Sequence, residues 1–163
     1  MNRLDILKRT QILGLLVEGN SLRAASRLAD VSLNTTTKLL VDVGRACQGY
    51  HDTHVRNLKS QRVQCDEIWS FVYSKQKNIP ENLKGVSGIG DVWTWVALDA
   101  DSKLAVSWLI GSRDAEYANA FMDDVAGRLA NRVQLTTDGH RPYLDAVKGA
   151  FPSGGIDCAA LIK

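Results

Sequence analysis

Apolar positions change their rhythm part-way along the chain. Over residues 3–18, Leu4, Leu7, Ile12, Leu15 and Leu16 recur at roughly helical spacing until Glu18-Gly19-Asn20 breaks the run. Ser21 can cap a short second helix over residues 22–28, because its hydroxyl can accept from the free N–H groups of the first turn. After a tight turn at residues 29–31, Ser32 can cap a third helix that begins near Leu33. The pattern turns Leu39, Leu40, Val43 and Cys47 of this helix inward and leaves Asn34, Thr35, Thr36 and Lys38 near its exposed N-terminal end. From Gly49 onward the sequence is polar and has no clean period, which predicts a linker.

Beyond the linker the period shortens. Residues 62–72 are rich in β-branched and aromatic side chains, and residues 91–98 and 103–110 form two more such runs around Asp99-Ala100-Asp101-Ser102. These predict three strands, the last two a hairpin. Residues 115–131 predict a helix that buries Ala118, Phe121, Met122, Val125 and Leu129. A strand at 133–137, a helix from Pro142 to about Ala150 and an apolar run at 156–162 follow. The order βββαβαβ describes a mixed α/β layer, so the chain as a whole is α+β: an all-α segment (1–48), a linker (49–61) and a mixed-sheet domain (62–163).

Composition narrows the function classes. The 163 residues carry a formal charge of only +2, from 20 Lys and Arg against 18 Asp and Glu. A nucleic-acid partner therefore requires clustered basic residues, and Lys8, Arg9, Arg23, Arg27, Lys38, Arg45, Arg56, Lys59 and Arg62 do crowd the first third. A short helix, a tight turn and a helix that opens with small polar side chains form a helix-turn-helix signature. Arg23, Arg27, Asn34, Thr35, Thr36 and Lys38 are its candidate DNA contacts: Asn and Thr bond base edges or phosphates, and a helix N-terminus favours an anion. A three-helix structural bundle with a solvated face is the bland alternative. No apolar run approaches the roughly 20 residues that cross a bilayer, and the polar N-terminus lacks a signal-peptide core. A cytoplasmic protein without membrane association is expected. Three widely spaced cysteines, Cys47, Cys65 and Cys158, do not form a disulfide framework, in keeping with a reducing compartment.

Two carboxylates stand out. Alternation along residues 62–72 sets Val63, Cys65, Trp69 and Phe71 on one face and Asp66 on the other with Gln64 and Ser70; Glu67 points away from Asp66 and is not expected to share its ligand. Asp138 ends a strand at the breaker Gly139, at the carboxyl edge where open sheets place ligands. If the two strands are parallel neighbours, Asp66 and Asp138 converge across 72 residues (138 minus 66). A converged pair can hold Mg²⁺ or Mn²⁺. Equally, Asp138 can cap its turn while Asp66 pairs with an arginine.

Cys65-Asp66-Glu67-Ile68-Trp69-Ser70-Phe71-Val72 resembles the D-E-x-W-x-F/Y-V block of insertion-sequence transposases of the family numbered one, and Thr137-Asp138-Gly139-His140-Arg141-Pro142-Tyr143 resembles their T-D-G-x-x-x-Y block. The resemblance implies a ribonuclease-H-like fold with a DDE triad, Asp66 and Asp138 as catalytic metal ligands, and two divalent ions (Mg²⁺ or Mn²⁺) in the complete site. It also implies double-stranded DNA partners, both element ends and target, and a homo-oligomer. The family's third carboxylate, a Glu in an E-R-x-N-L block, has no counterpart, since the last glutamate is Glu116 and the chain ends at Lys163. A catalytic domain incomplete at its C-terminus is therefore expected, with no strand transfer by this chain alone. A non-enzymatic DNA-binding regulator of the parent element is the alternative, and a phosphodiesterase unconnected with transposition a third class.

Weaker signals read as structural. Asp145 and Asp157 are expected to be solvated surface charges. Cys47, His51, His54 and Cys65 match no zinc-finger spacing. Trp69, Trp93, Trp95 and Trp108 are read as core, and His140 and Arg141 as exposed loop charges.

Overall fold

The computed structural model describes residues 4–152 and 155–160, and the chain divides into two compact units, Met1–His54 and Val55–Lys163. Among the described residues, no helix is long and apolar enough to cross a membrane. Leu161 and Ile162, at the end of the last apolar run, lie outside the described residues.

The first unit holds α1 (Ile6–Val17), α2 (Leu22–Leu28) and α3 (Leu33–His54). Each start is capped by a side chain that accepts a first-turn N–H: Asp5 from Lys8, Ser21 from Ala24 and Ser32 from Thr35. Between α2 and α3 the Ser26 hydroxyl donates to the Val31 carbonyl at 2.6 Å, which ties the turn to the helix before it. Ile12, Ala25, Ala29 and Thr36 are fully buried. Along α3, Thr36 is buried and Leu39 and Val43 are half-buried at a spacing of three and four residues that draws one narrow stripe, with Thr35 and His51 also partly covered. Leu40 and Cys47, expected inside, stand beside that stripe and are exposed, because the seven residues of α2 cover only a short length of α3. α3 also runs on through residues 49–54 of the expected linker. The segment lacks an apolar period because it is a solvated helix, continued by Thr53 and His54 side chains bonded one turn back to Gly49 and Tyr50 and by the stacked Tyr50 and His54 rings.

The second unit contains one five-stranded sheet in the order β3-β2-β1-β4-β5, from β1 (Arg62–Val72), β2 (Gly90–Asp99), β3 (Ala105–Gly111), β4 (Val133–Thr137) and β5 (Ile156–Ala160). β1, β2 and β3 form an antiparallel meander; β4 and β5 add parallel to β1. α4 (Ala115–Arg128) and α5 (Arg141–Ala150) pack on one face. Their Ala118, Phe121, Met122, Val125, Tyr143, Ala146 and Val147 close a core with Val63, Cys65, Trp95, Ala97, Val133 and Leu135. Burying this apolar area is the main stabilising term, at about 25 cal/mol per Å². Of the four tryptophans only Trp95 is fully buried; Trp69 and Trp108, read as core, are exposed, because among the described residues no helix of this unit covers the far end of β1 or the second sheet face. Cys47, Cys65 and Cys158 are free thiols.

Two local devices fix the edges of the sheet. The hairpin between β2 and β3 is built on Asp99, which accepts from the Asp101 and Ser102 amides and from the Ser60 hydroxyl. Chiefly through the Ser60 bond, these partners hold its carboxyl down at about 2. At the other end of β3, the Tyr117 ring lies against Gly111 so closely that a Cβ there would stand 1.8 Å from it.

Both devices are testable. Replacing Gly111 by Ala should destabilise the second unit by about 1–3 kcal/mol through overpacking, read as a lower denaturation midpoint; an unchanged midpoint removes the contact as a constraint. Because Asp99 titrates lower folded than unfolded, its contribution is complete above the ordinary range near 4 and is lost as pH falls toward about 2. Ser60→Ala should therefore shift acid unfolding to higher pH and raise the Asp99 pKa measured by NMR.

Candidate functional site

In β1 the residues facing the helices are Val63, Cys65 and then Glu67, whose side chain is only 1% exposed. Asp66, on the alternate face, is exposed. It does not project straight out: its Oδ1 accepts the Glu67 amide at 2.9 Å, which turns the carboxylate along the strand. The parallel ladder pairs Val63 with Leu135 and Gln64 with Thr136, and the same offset sets Asp66 level with Asp138. That ladder stops at Gln64 and Thr136; β4 ends at Thr137, and Gly139 turns the chain with a φ of 81°. Asp138 thus sits at a strand's carboxyl end beside the start of α5, and its Oδ1 accepts the His140 amide at 2.9 Å.

One oxygen each from Asp66, Glu67 and Asp138 lies within 4.8 Å of the other two. The expected pair of aspartates does meet, and an oxygen of Glu67, expected to point away from Asp66, lies beside them. They meet although alternation keeps Glu67 and Asp66 on opposite faces of β1, because Asp66 bends along the strand and Asp138, just past the last strand residue, lies at the rim that both faces share. Such a donor set suits a hard cation, whose oxygen ligands stand at about 2.0–2.6 Å. The Glu67 carboxylate is buried between Arg113 and the Tyr143 hydroxyl, which hydrogen-bonds it, so it enters the cluster as a partnered group.

A fourth charged group, absent from the sequence reading, completes the cluster. Arg113 donates from Nε and Nη2 to Glu67 Oε2, both at 3.2 Å, and from Nη2 to Asp138 Oδ2 at 3.2 Å. Its guanidinium lies 5.0 Å from the centre of the Trp93 ring. The corner that carries it is pinned on both sides. The Trp95 indole N–H donates to the Ser112 carbonyl at 3.0 Å, and Asp114 caps α4 by accepting the Tyr117 amide. Nothing in the local pattern at Gly111-Ser112-Arg113-Asp114 marks this arginine; its role depends on long-range packing.

His140 also departs from expectation. Instead of an exposed loop charge it packs against Trp95 and Tyr143, with Nε2 buried and unpartnered. Burial, reinforced by Arg113, holds its pKa below the ordinary value. Tyr143 is buried too, and burial followed by the negative charge of its neighbours, Glu67 among them, pushes its phenol up. Arg141 is exposed, as expected. Asp145 is exposed, and the exposed Asp157 pairs with Arg132.

In the first unit Arg23, Arg27, Asn34 and Lys38 are exposed around α2 and the start of α3. Thr35 is half-buried, with its hydroxyl 2.8 Å from that of Ser32. Thr36 is corrected as a contact residue: it is fully buried and its hydroxyl bonds back to the Ser32 carbonyl, because the helical turn points it at the bundle seam.

No protein-family model matches the sequence, and no curated protein does. Among solved structures the chain is similar to the Mos1 strand transfer complex (13% identity, TM-score 0.42), covering 98% of this chain and 61% of that one. It is also similar to a pre-cleavage Mos1 transpososome (10% identity, TM-score 0.37) and to a Mos1 transposase paired-end complex with left transposon end (11% identity, TM-score 0.38). Each of these matches covers 97% of this chain and 60% of the other. The chain thus spans about three fifths of the length of these proteins.

The ion pair around Glu67 yields a stability prediction. With metal removed by chelation, Arg113→Met should destabilise the second unit toward the lower end of the ~3–5 kcal/mol typical of a broken buried pair, since Arg113 itself is partly solvated. Adding Glu67→Gln should restore most of the loss, as read by denaturant unfolding of the single and double variants. Additive losses would show that the pair is not coupled.

Proposed function

We propose that this chain is a segment of a DNA transposase of the insertion-sequence type. In this reading α2 and α3 are a helix-turn-helix that binds double-stranded DNA, and the second unit is a ribonuclease-H-like domain whose carboxylates hold Mg²⁺ or Mn²⁺. The observation that carries the reading is the meeting of Asp66 and Asp138, from the two sequence blocks that resemble the transposase family, within 4.8 Å of each other and of Glu67. A divalent ion bound there supplies Lewis-acid chemistry at a phosphodiester, lowering the charge that builds on its oxygens.

The chain's own residues do the rest. Asp66 and Asp138 furnish ligand oxygens from two strands at one level, and Glu67 adds a buried third. Arg113 offsets their mutual repulsion and orients Glu67 and Asp138 through three hydrogen bonds. In the first unit, the exposed Arg23, Arg27 and Lys38 can neutralise phosphates, and Asn34 near the start of α3 can read a base edge. Cleavage at element ends, strand transfer and assembly as a homo-oligomer belong to the complete protein in this reading.

Two measurements on the full chain test it. In mobility-shift titrations with duplex DNA, Lys38→Ala should weaken binding and reduce the salt slope by about one, and Asn34→Ala should narrow the preference for element ends. Mn²⁺ at about 100 times its Kd should stabilise the protein by about 2.7 kcal/mol, an effect lost in Asp138→Asn. Unaltered DNA affinity in both α3 variants, or Mn²⁺ stabilisation that survives Asp138→Asn, would overturn the proposal.

A further inference from the structure

α3 is longer than its bundle needs. It has 22 residues against 12 in α1 and 7 in α2, and the stripe of Thr36, Leu39 and Val43 stops well short of its end at His54. Along the rest of the helix Leu40, Gly44, Cys47, Tyr50 and His54 share one side, at spacings of four, three, three and four residues, and all five are exposed. Two are large apolar groups, Leu40 at 41% and Tyr50 at 65% exposure. The Tyr50 ring stacks on His54 at 3.9 Å, so the two present one continuous ring surface. We infer that this face docks against the same face of a second copy of the chain, the two α3 helices running antiparallel about a two-fold axis at Cys47.

The spacing itself selects the partner. Because it is the same from either end, the face becomes its own complement when one helix is reversed. Leu40 then meets His54 of the partner subunit, Gly44 meets Tyr50 of the partner subunit, and Cys47 meets Cys47 of the partner subunit. Around Gly44 there is open space where a Cβ would stand, so an incoming Tyr50 ring can lie against bare backbone. A parallel pair would instead set Tyr50 on Tyr50 and Gly44 on Gly44, a crowded level beside an empty one.

Charge is placed to allow the contact. At about 100° per residue, Lys38, Asp42, Arg45 and Asp52 lie about 140–180° round the helix from Cys47, so no Lys, Arg, Asp or Glu of α3 enters the seam. The same rotation turns Asn34 and Lys38 away from it. At about 1.5 Å per residue these two stand about 14–20 Å from the axis, which separates the reading ends of two copies by about 27–39 Å and brackets the ~34–36 Å between DNA half-sites. That link to DNA rests on the proposed function; the pairing of the helices does not.

The experiment is sedimentation of the full chain over a concentration series, with Tyr50→Glu as the variant, joined to thiol cross-linking by a short bis-maleimide. One pair of helices buries less than the ~1,200–2,000 Å² of a standard complex, so the wild type should dimerise with a Kd on the order of 10 µM, and Tyr50→Glu, checked for folding by circular dichroism, should weaken it at least about tenfold. With Cys47 and Cys158 replaced by Ser, Leu40→Cys and His54→Cys chains should cross-link when mixed and not when either is alone. A monomer throughout the series, or a dimer indifferent to Tyr50→Glu, overturns the inference; cross-linking of Leu40→Cys chains with one another overturns the antiparallel register. If Tyr50→Glu does not fold, the cross-linking pattern decides. A monomer that still binds duplex DNA sinks this inference alone, and a dimer that binds no DNA sinks the proposed function alone.

Discussion

Three like charges crowded within 4.8 Å repel one another by an amount on the order of 3 kcal/mol per pair at an effective dielectric near 20, and a sheet edge by itself does nothing to relieve that. Arg113 relieves it. The guanidinium reaches Glu67 and Asp138 together because the corner between β3 and α4 is set against β2 by the Trp95 indole, and because Tyr117 closes over Gly111. Much of the second unit's edge packing serves to keep one positive charge in one place.

The sheet topology supplies the other half of the arrangement. β1 pairs along its full length with β2 but only briefly with β4, and the parallel ladder ends just before Asp66 and Asp138. The two strands stay joined over three residue pairs and part before the carboxylates. Both helices lie on one face, so the rim beyond their cover remains open on the side of Trp69 and Phe71.

Local rules made much of this legible. Serine caps, the break at Gly139, the hairpin at Asp99 and the alternation of β1 each follow from short-range chemistry, and the elements of both units stand close to where periodicity sets them. Asp138 was visible because a strand ran straight into it. Glu67 was not, because strict alternation carried it away from Asp66; the overlooked signal was its parity with Val63 and Cys65, which makes it the costlier charge to bury. Arg113 and the burial of His140 arise from contacts between distant segments, and no local window contains them. Thr36 misled because a polar residue at a helix start can satisfy its hydroxyl on the preceding turn and still be buried.

The dependence of the cluster on a pairing between β1 and β4 also governs when it can form. The meander of β1, β2 and β3 joins neighbours in sequence and closes only short loops, whereas seating β4 must bring together segments about 70 residues apart, an entropically slower event. Until that docking Asp66 and Glu67 have no Asp138 beside them, and the hydrophobic face of the meander lacks its helices. In the proposed reading, binding of an ion would therefore be coupled to this long-range docking, because the three carboxylates come together only once β4 is seated.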